Sequence, residues 1–135
     1  MNSPGSQIIF SGITGPETSE TFTVDNDESI LLMVTTGAGT PTSQYLYVYG
    51  SIGIPGNEGQ PIDPDNANSP TNPYTALMVR DLNDLDALVG TDGIPVVANT
   101  TKLYEINVNA VRDVHFKMVG SAVPVTAVLR SYRRR

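Results

Sequence analysis

The sequence predicts an all-β fold, a two-sheet antiparallel β-sandwich, with the jelly roll among the connectivities that fit. Three observations predict it. Short runs rich in β-branched and aromatic residues alternate apolar and polar positions with a period of two. Turn residues recur every ~8 to 12 positions, and a single segment spaces its leucines as a helix would. At 135 residues the chain has the size of one domain, so residues 1–135 are read as one sandwich with one core. Within it, residues 1–6 read as a flexible arm, 52–73 as a long loop and 132–135 as a basic tail.

The first half carries three runs: Thr21–Val24, Ser29–Thr36 and Gln44–Gly50. Residues 30–34 are almost continuously apolar, which predicts a strand covered on both faces. Asp25-Asn26-Asp27 and Gly37-Ala38-Gly39-Thr40-Pro41 separate these runs. Asn and Asp tolerate the left-handed region and Gly enters it at little cost, so both read as connections of hairpin length.

Residues 52–73 place Gly53, Pro55, Gly56, Gly59, Pro61, Pro64, Pro70 and Pro73 among Asn, Asp and Ser. Without apolar periodicity they read as a long surface loop, a feature that in compact domains often serves function. Thr75–Arg80 resumes as a strand. Asp81–Val89 spaces Leu82, Leu85 and Leu88 three apart, which fits one or two helical turns as well as a strand, and Gly90-Thr91-Asp92-Gly93 ends it.

The last third alternates most clearly. In Lys102–Asn109, Tyr104, Ile106 and Val108 share one face; in Arg112–Met118, Val114, Phe116 and Met118 point inward and Asp113, His115 and Lys117 outward. Only Ala110 and Val111 join the two, so they read as an antiparallel pair. Val123–Arg130 closes the chain with Val123, Val125, Ala127 and Leu129 on one face. Pro124 cannot donate to a ladder and belongs at the strand start or on an edge.

Composition removes several classes of function. With no cysteine there is no disulfide, thiolate metal cluster or cysteine nucleophile. No apolar run reaches the ~20 residues of a membrane helix, and Met1–Ser6 lacks the basic start and apolar stretch of a signal peptide. A soluble setting without a membrane partner is expected.

Residues 1–99 hold one basic and twelve acidic side chains, a net charge of −11; residues 100–135 hold seven basic and two acidic ones, a net charge of +5. Two ends of opposite charge suit docking between copies or onto a partner of mixed charge. The acidic two thirds would be repelled by phosphate, so nucleic acid is not an expected partner.

No catalytic, cofactor or metal site is expected. His115, the single histidine, falls on the polar face of its run and reads as exposed and inert. Asp63-Pro64-Asp65-Asn66-Ala67-Asn68 offers oxygen atoms but lacks the glycine and the terminal glutamate of a calcium loop. Asp25, Asp27 and Glu28 read as turn residues. Gly50–Gly59 has no lysine and no following helix, so it is no phosphate cradle. The acidic residues cannot be paired for glycoside hydrolysis from sequence, and the absence of tryptophan weakens a sugar platform.

Two features suit contact with another protein. Tyr45, Tyr47 and Tyr49 share one face of a strand, either as an adhesive surface or as one wall of the core with hydroxyls at its rim, while Leu46 and Val48 offer the competing apolar face. Arg133, Arg134 and Arg135 end the chain, either as a solvated tail or as guanidinium forks for an acidic patch on a neighbour.

The closing run from Leu103 to Ser131, with Tyr-Glu-Ile-Asn-Val, Val-Arg-Asp-Val-His-Phe-Lys-Met and Val-Pro-Val-Thr-Ala-Val-Leu-Arg-Ser, resembles the closing strands of small tailed-bacteriophage virion proteins. It is most similar in style to the β-sandwich decoration, or cement, proteins of capsids. The resemblance covers about thirty residues and transfers no functional residue. It implies a virion structural protein, made in the host cytoplasm, that binds outside an assembled capsid as a dimer or trimer and reinforces the major capsid protein. The alternative is a carbohydrate- or receptor-binding module of a tail fibre or secreted appendage. An enzyme is the third and most remote reading.

Overall fold

The computed structural model describes residues 6–54, 56, 60, 62–65, 72–84 and 88–133, with the backbone only for residues 88, 132 and 133. Among the described residues there are twelve strands and no helix: β1 Gln7–Ile13, β2 Glu17–Thr18, β3 Phe22–Thr23, β4 Asp27–Thr36, β5 Thr42–Ser51, β6 Thr75–Ala76, β7 Val79–Asp81, β8 Leu88–Gly90, β9 Ile94–Pro95, β10 Thr101–Asn107, β11 Asp113–Ser121 and β12 Val125–Arg133.

They form two antiparallel sheets, ordered β1-β12-β4-β10-β7-β8 and β2-β11-β5-β6, with β3 added to β11 and β9 to β5. The pairings are nested. β1 pairs with β12, β2 and β3 with β11, β4 with β10, and β5 with β6 and β9. This is a long antiparallel hairpin wound up so that β12 meets β4 and β11 meets β5. That order is a jelly roll, in which two Greek keys close around one core.

Alternation builds the core. Ile30, Leu32 and Val34 of β4, Tyr104 and Ile106 of β10, and Val125, Ala127 and Leu129 of β12 face Leu46 and Val48 of β5 and Val114, Phe116 and Met118 of β11, all buried. Successive side chains point to opposite faces of a strand, so each period-two run supplies one wall and leaves its other residues outside. The inward sets expected in the last third, including Val108 and Val123, are all in this core.

Winding the hairpin overturns several local expectations. The runs at 102–109 and 112–118 are not a pair: β10 bonds β4 and β7, whereas β11 bonds β5, β2 and β3 in the other sheet. The short links at 24–26 and 37–41 likewise cross between sheets instead of closing hairpins. Asn26, with φ of 76°, makes the first of these turns. Residues 30–34 are not covered on both faces, since Leu31 is half-buried and Met33 is 45% exposed. The run at 75–80 divides, β6 joining one sheet and β7 the other. Leu82 and Asn83 form a turn and residues 88–90 a strand, with residues 85–87 outside the described set. β12 runs on through Arg133 because its partner β4 extends back to Asp27.

At one end of the sandwich, Gln44 clamps the start of β12. Its Nε2 donates to the Val123 carbonyl at 2.7 Å, and the Val123 N–H donates to its Oε1 at 3.1 Å, both bonds buried. The amide thereby ties β5 in one sheet to the entry of β12 in the other. Gln44→Ala strands two buried main-chain groups and is expected to cost about 2 kcal/mol. Thermal unfolding should then show a midpoint lowered by roughly 6–10 °C; an unchanged midpoint would mean that the clamp contributes nothing.

Candidate functional site

The outer face of the β11–β5 sheet is aromatic. With Leu46 and Val48 in the core, the opposite pleat of β5 presents Tyr45, Tyr47 and Tyr49 outward, so the tyrosines form a surface and not a core wall. Tyr45 and Tyr47 have ring centroids 6.5 Å apart, and Tyr47 stacks on Tyr49 at 6.1 Å with planes 17° apart. Cross-strand register puts Val119, Lys117 and His115 of β11 beside Tyr45, Tyr47 and Tyr49 in that order. A row of rings with fixed neighbours offers large contact area at small cost in side-chain entropy.

His115 departs most from expectation. It lies on the predicted face, yet it is 1% exposed, because Tyr49 and Tyr74 cover it. Tyr49 stacks on the imidazole at 5.3 Å, and the Tyr74 ring meets it edge-on at 4.6 Å. Tyr74 also meets Tyr49 edge-on at 5.3 Å. Among the described residues no group hydrogen-bonds to His115 Nδ1. Burial, helped by the Lys117 charge and opposed by Asp65, lowers the imidazole from its usual 6.5 to about 4. It is therefore neutral at physiological pH. Burial also raises Tyr49, with Tyr47 and Tyr74 adding to it, and raises Tyr74, with Asp63 and Asp65 adding. Both phenols stay protonated as hydrogen-bond donors.

Tyr74 follows Asn72 and Pro73 in a stretch without period, so its place over His115 was not legible locally. Parts of the 52–73 loop are anchored to the body of the sandwich. Ile62 and Asn72 are buried. Thr21 Oγ1 donates to the Ile62 carbonyl at 2.9 Å, and an Arg112 guanidinium N–H donates to the Gln60 carbonyl at 2.8 Å. The Asp63 N–H donates to Asn72 Oδ1 at 2.7 Å, and the Asp65 N–H to Asp63 Oδ1 at 3.0 Å. Asp63 thus spends an oxygen on its own turn. Among the described residues no three His, Asp or Glu side chains converge as metal ligands.

Asp113, also expected outside, is fully buried at the edge of this face. It accepts from Arg112 at 3.0 Å and from Thr23 Oγ1 at 3.3 Å. Burial raises its carboxyl, against the opposing pull of Arg112. Across the molecule, Lys102 pairs with Asp81 at 2.8 Å, which lowers the Asp81 carboxyl and raises the Lys102 ammonium. Arg133 lies in β12 with its backbone opposite Asp27, whereas Arg134 and Arg135 lie outside the described residues.

The other sheet presents a different outer face. Paired residues share a face, so the register lays out rows across it. Thr126, Thr35 and Thr101 form one row; Ile8, Val128, Met33 and Leu103 form the next; Arg130, Leu31, Glu105 and Arg80 form a third. Ile8 is 66% exposed. Beyond the third row, a groove of about 520 Å³ is lined by Glu28, Ser29, Leu31, Glu105, Asn107 and Asn109.

Fold and faces together define a jelly-roll β-sandwich with one aromatic and one apolar, charge-flanked outer face. In fold it is similar to the SPBc2 prophage-derived protein YomS, known from a crystal structure, with a TM-score of 0.60 and 20% identity over 94% of this chain and 90% of that one. No family model matches the chain, and no curated protein does.

Proposed function

We propose that this chain is a structural protein of a phage particle, binding outside an assembled capsid and reinforcing contacts between major capsid subunits. It acts by contact, not by catalysis, and its place of action is the virion surface. The observation that carries the reading is the outward tyrosine row on β5, braced at Tyr49 by His115 beneath and Tyr74 edge-on beside it. Rigid aromatic side chains are what protein interfaces use as anchors. The likeness in fold to a prophage-derived protein supports the setting.

The test is co-sedimentation of purified protein with capsid shells that lack it. Bound protein is expected in the pellet, and Tyr45→Ala with Tyr47→Ala should weaken binding by at least about tenfold, the scale of losing one interface anchor. Both rings are partly exposed, so folding should be nearly unchanged. Protein that stays in the supernatant would overturn the reading. The same aromatic row favours the alternative, a glycan- or receptor-binding module, and selective capture by a glycan array together with indifference to shells would establish that instead.

A further inference from the structure

We propose that the outer face of the β1-β12-β4-β10 sheet is the interface of a homodimer whose two-fold axis runs along β4. The rows on the two sides of β4 complement each other. β12 and β10 flank β4 on either side, and the register sets Arg130 and Glu105 opposite the same residue, Leu31. Rotation by half a turn about β4 brings β12 of one copy over β10 of the other and keeps each row at its own level. Arg130 then faces the second copy's Glu105, and the symmetry makes that pair twice. In the neighbouring row, Val128 faces Leu103 and Met33 faces Met33.

This is the self-complementarity that an isologous contact requires. Charge complementarity selects a second copy over an unrelated apolar partner. Among the described residues neither Arg130 nor Glu105 forms an ion pair within its own chain; Arg80 of β7 stands beside Glu105 in the register without an ion pair to it, and the second copy's Arg130 supplies the contact that Glu105 does not make in its own chain. The groove lined in part by Glu105 and Leu31 lies beside the place where the second copy's Arg130 arrives. Met33, 45% exposed, would find its cover in its own symmetry mate.

The area sets the strength. With β4 on the axis, β12, β4 and β10 meet their mates, and three strands at ~4.8 Å spacing with seven residues at ~3.4 Å give about 340 Å² per copy, below the ~800 Å² per partner of a standard stable interface. A weak, concentration-dependent dimer follows.

Sedimentation velocity on the isolated protein from about 1 to 500 μM, the range suited to an interface of that size, should show the mass rising from the 14.4 kDa of one chain toward twice that value. Arg130→Glu sets like charges face to face and should weaken dimerisation at least about tenfold, as should Glu105→Arg. The double variant exchanges the charges and should restore it. Circular dichroism confirms that each variant folds. A monomer at every concentration overturns the proposal, as does a dimer indifferent to Arg130→Glu or a double variant that is not rescued. The measurement uses no capsid and reads a face on the opposite sheet from the tyrosine row, so its failure leaves the capsid reading standing, and the converse holds.

Discussion

Replacing Gly120 by alanine is expected to destabilise the protein by about 3 kcal/mol or more, a larger effect than any surface substitution. Gly120 has a φ of 78°, in the left-handed region where a side chain costs about 1–2 kcal/mol. It also sits where β11 and β5 shift register between Val119 and Ser121, with Ser43 opposite at a φ of 45°. A Cβ at position 120 would fall 2.6 Å from Gln44 Cα and closer still to the Ser43 carbonyl. These are backbone atoms of the paired strand, so relief means moving the strand, with a further ~1–3 kcal/mol of overpacking strain. Gln44 is also the residue that clamps Val123, so displacement there should loosen the entry of β12 as well. Urea denaturation of Gly120→Ala measures the loss. A midpoint within error of the parent protein would show the bulge to be adaptable.

The all-β class, the core faces of the last third and the turn positions were legible because each depends on a few adjacent residues. Tyr104, Ile106 and Val108 announce a buried face by alternation alone. Which sheet a strand joins is a different matter. Ala110 and Val111 are as compatible with an arch between sheets as with a hairpin, and only the nesting of β4 with β10 and β5 with β11 decides between them. The same holds for the site. Tyr45, Tyr47 and Tyr49 were visible as a stripe, and the burial of Leu46 and Val48 determines that the stripe faces out. His115 was read as exposed because period-two logic assumes that the outer pleat meets solvent. Tyr74, distant in sequence, covers that part of the pleat, and no local pattern carries such information. Gln7–Ile13 carries no clear period-two signal, and in the structure its pairing with β12 shifts register twice, with Gly12 at positive φ.

On the functions proposed above, the two outer faces divide the work. The tyrosine row is aromatic and braced at Tyr49, which suits a foreign surface. The opposite face is self-complementary and shallow, which suits a second copy. A dimer joined through the β4 face would hold two tyrosine rows pointing away from each other, able to engage two neighbouring subunits of a shell. Two weak attachments on a rigid frame bind more tightly than either alone, because the second event occurs at high effective concentration. A modest interface is therefore sufficient for the lattice-reinforcing role proposed above.

Lowering the pH from 7 toward 4 is expected to remove about 3 kcal/mol of stability through His115 alone, the equivalent of a shift from 6.5 to about 4. Between those values the unfolded chain binds a proton that the folded chain refuses. Stability therefore rises with pH through the window; the contribution is complete above about 6.5 and lost as pH falls to about 4. Asp113 works the other way, since its raised carboxyl takes up a proton more readily in the folded state as the pH falls. The His115 part is isolated by His115→Phe, which keeps a ring to stack on Tyr49 and removes both the titration and the unpartnered Nδ1. Denaturant unfolding of the variant should lose most of the slope between pH 6.5 and 4.5, with stability at pH 7 equal to or above that of the parent. Because this is the single histidine, its ring proton resonances can be followed by NMR without assignment. A midpoint near 6.5, or identical pH slopes in variant and parent, would sink the account. Protonation beneath Tyr49 and Tyr74 also removes the support of the tyrosine row. In the folded chain that protonation comes only near pH 4, so co-sedimentation with shells should hold as the pH falls from 7 to about 5, weaken near pH 4 in the parent and persist there in His115→Phe.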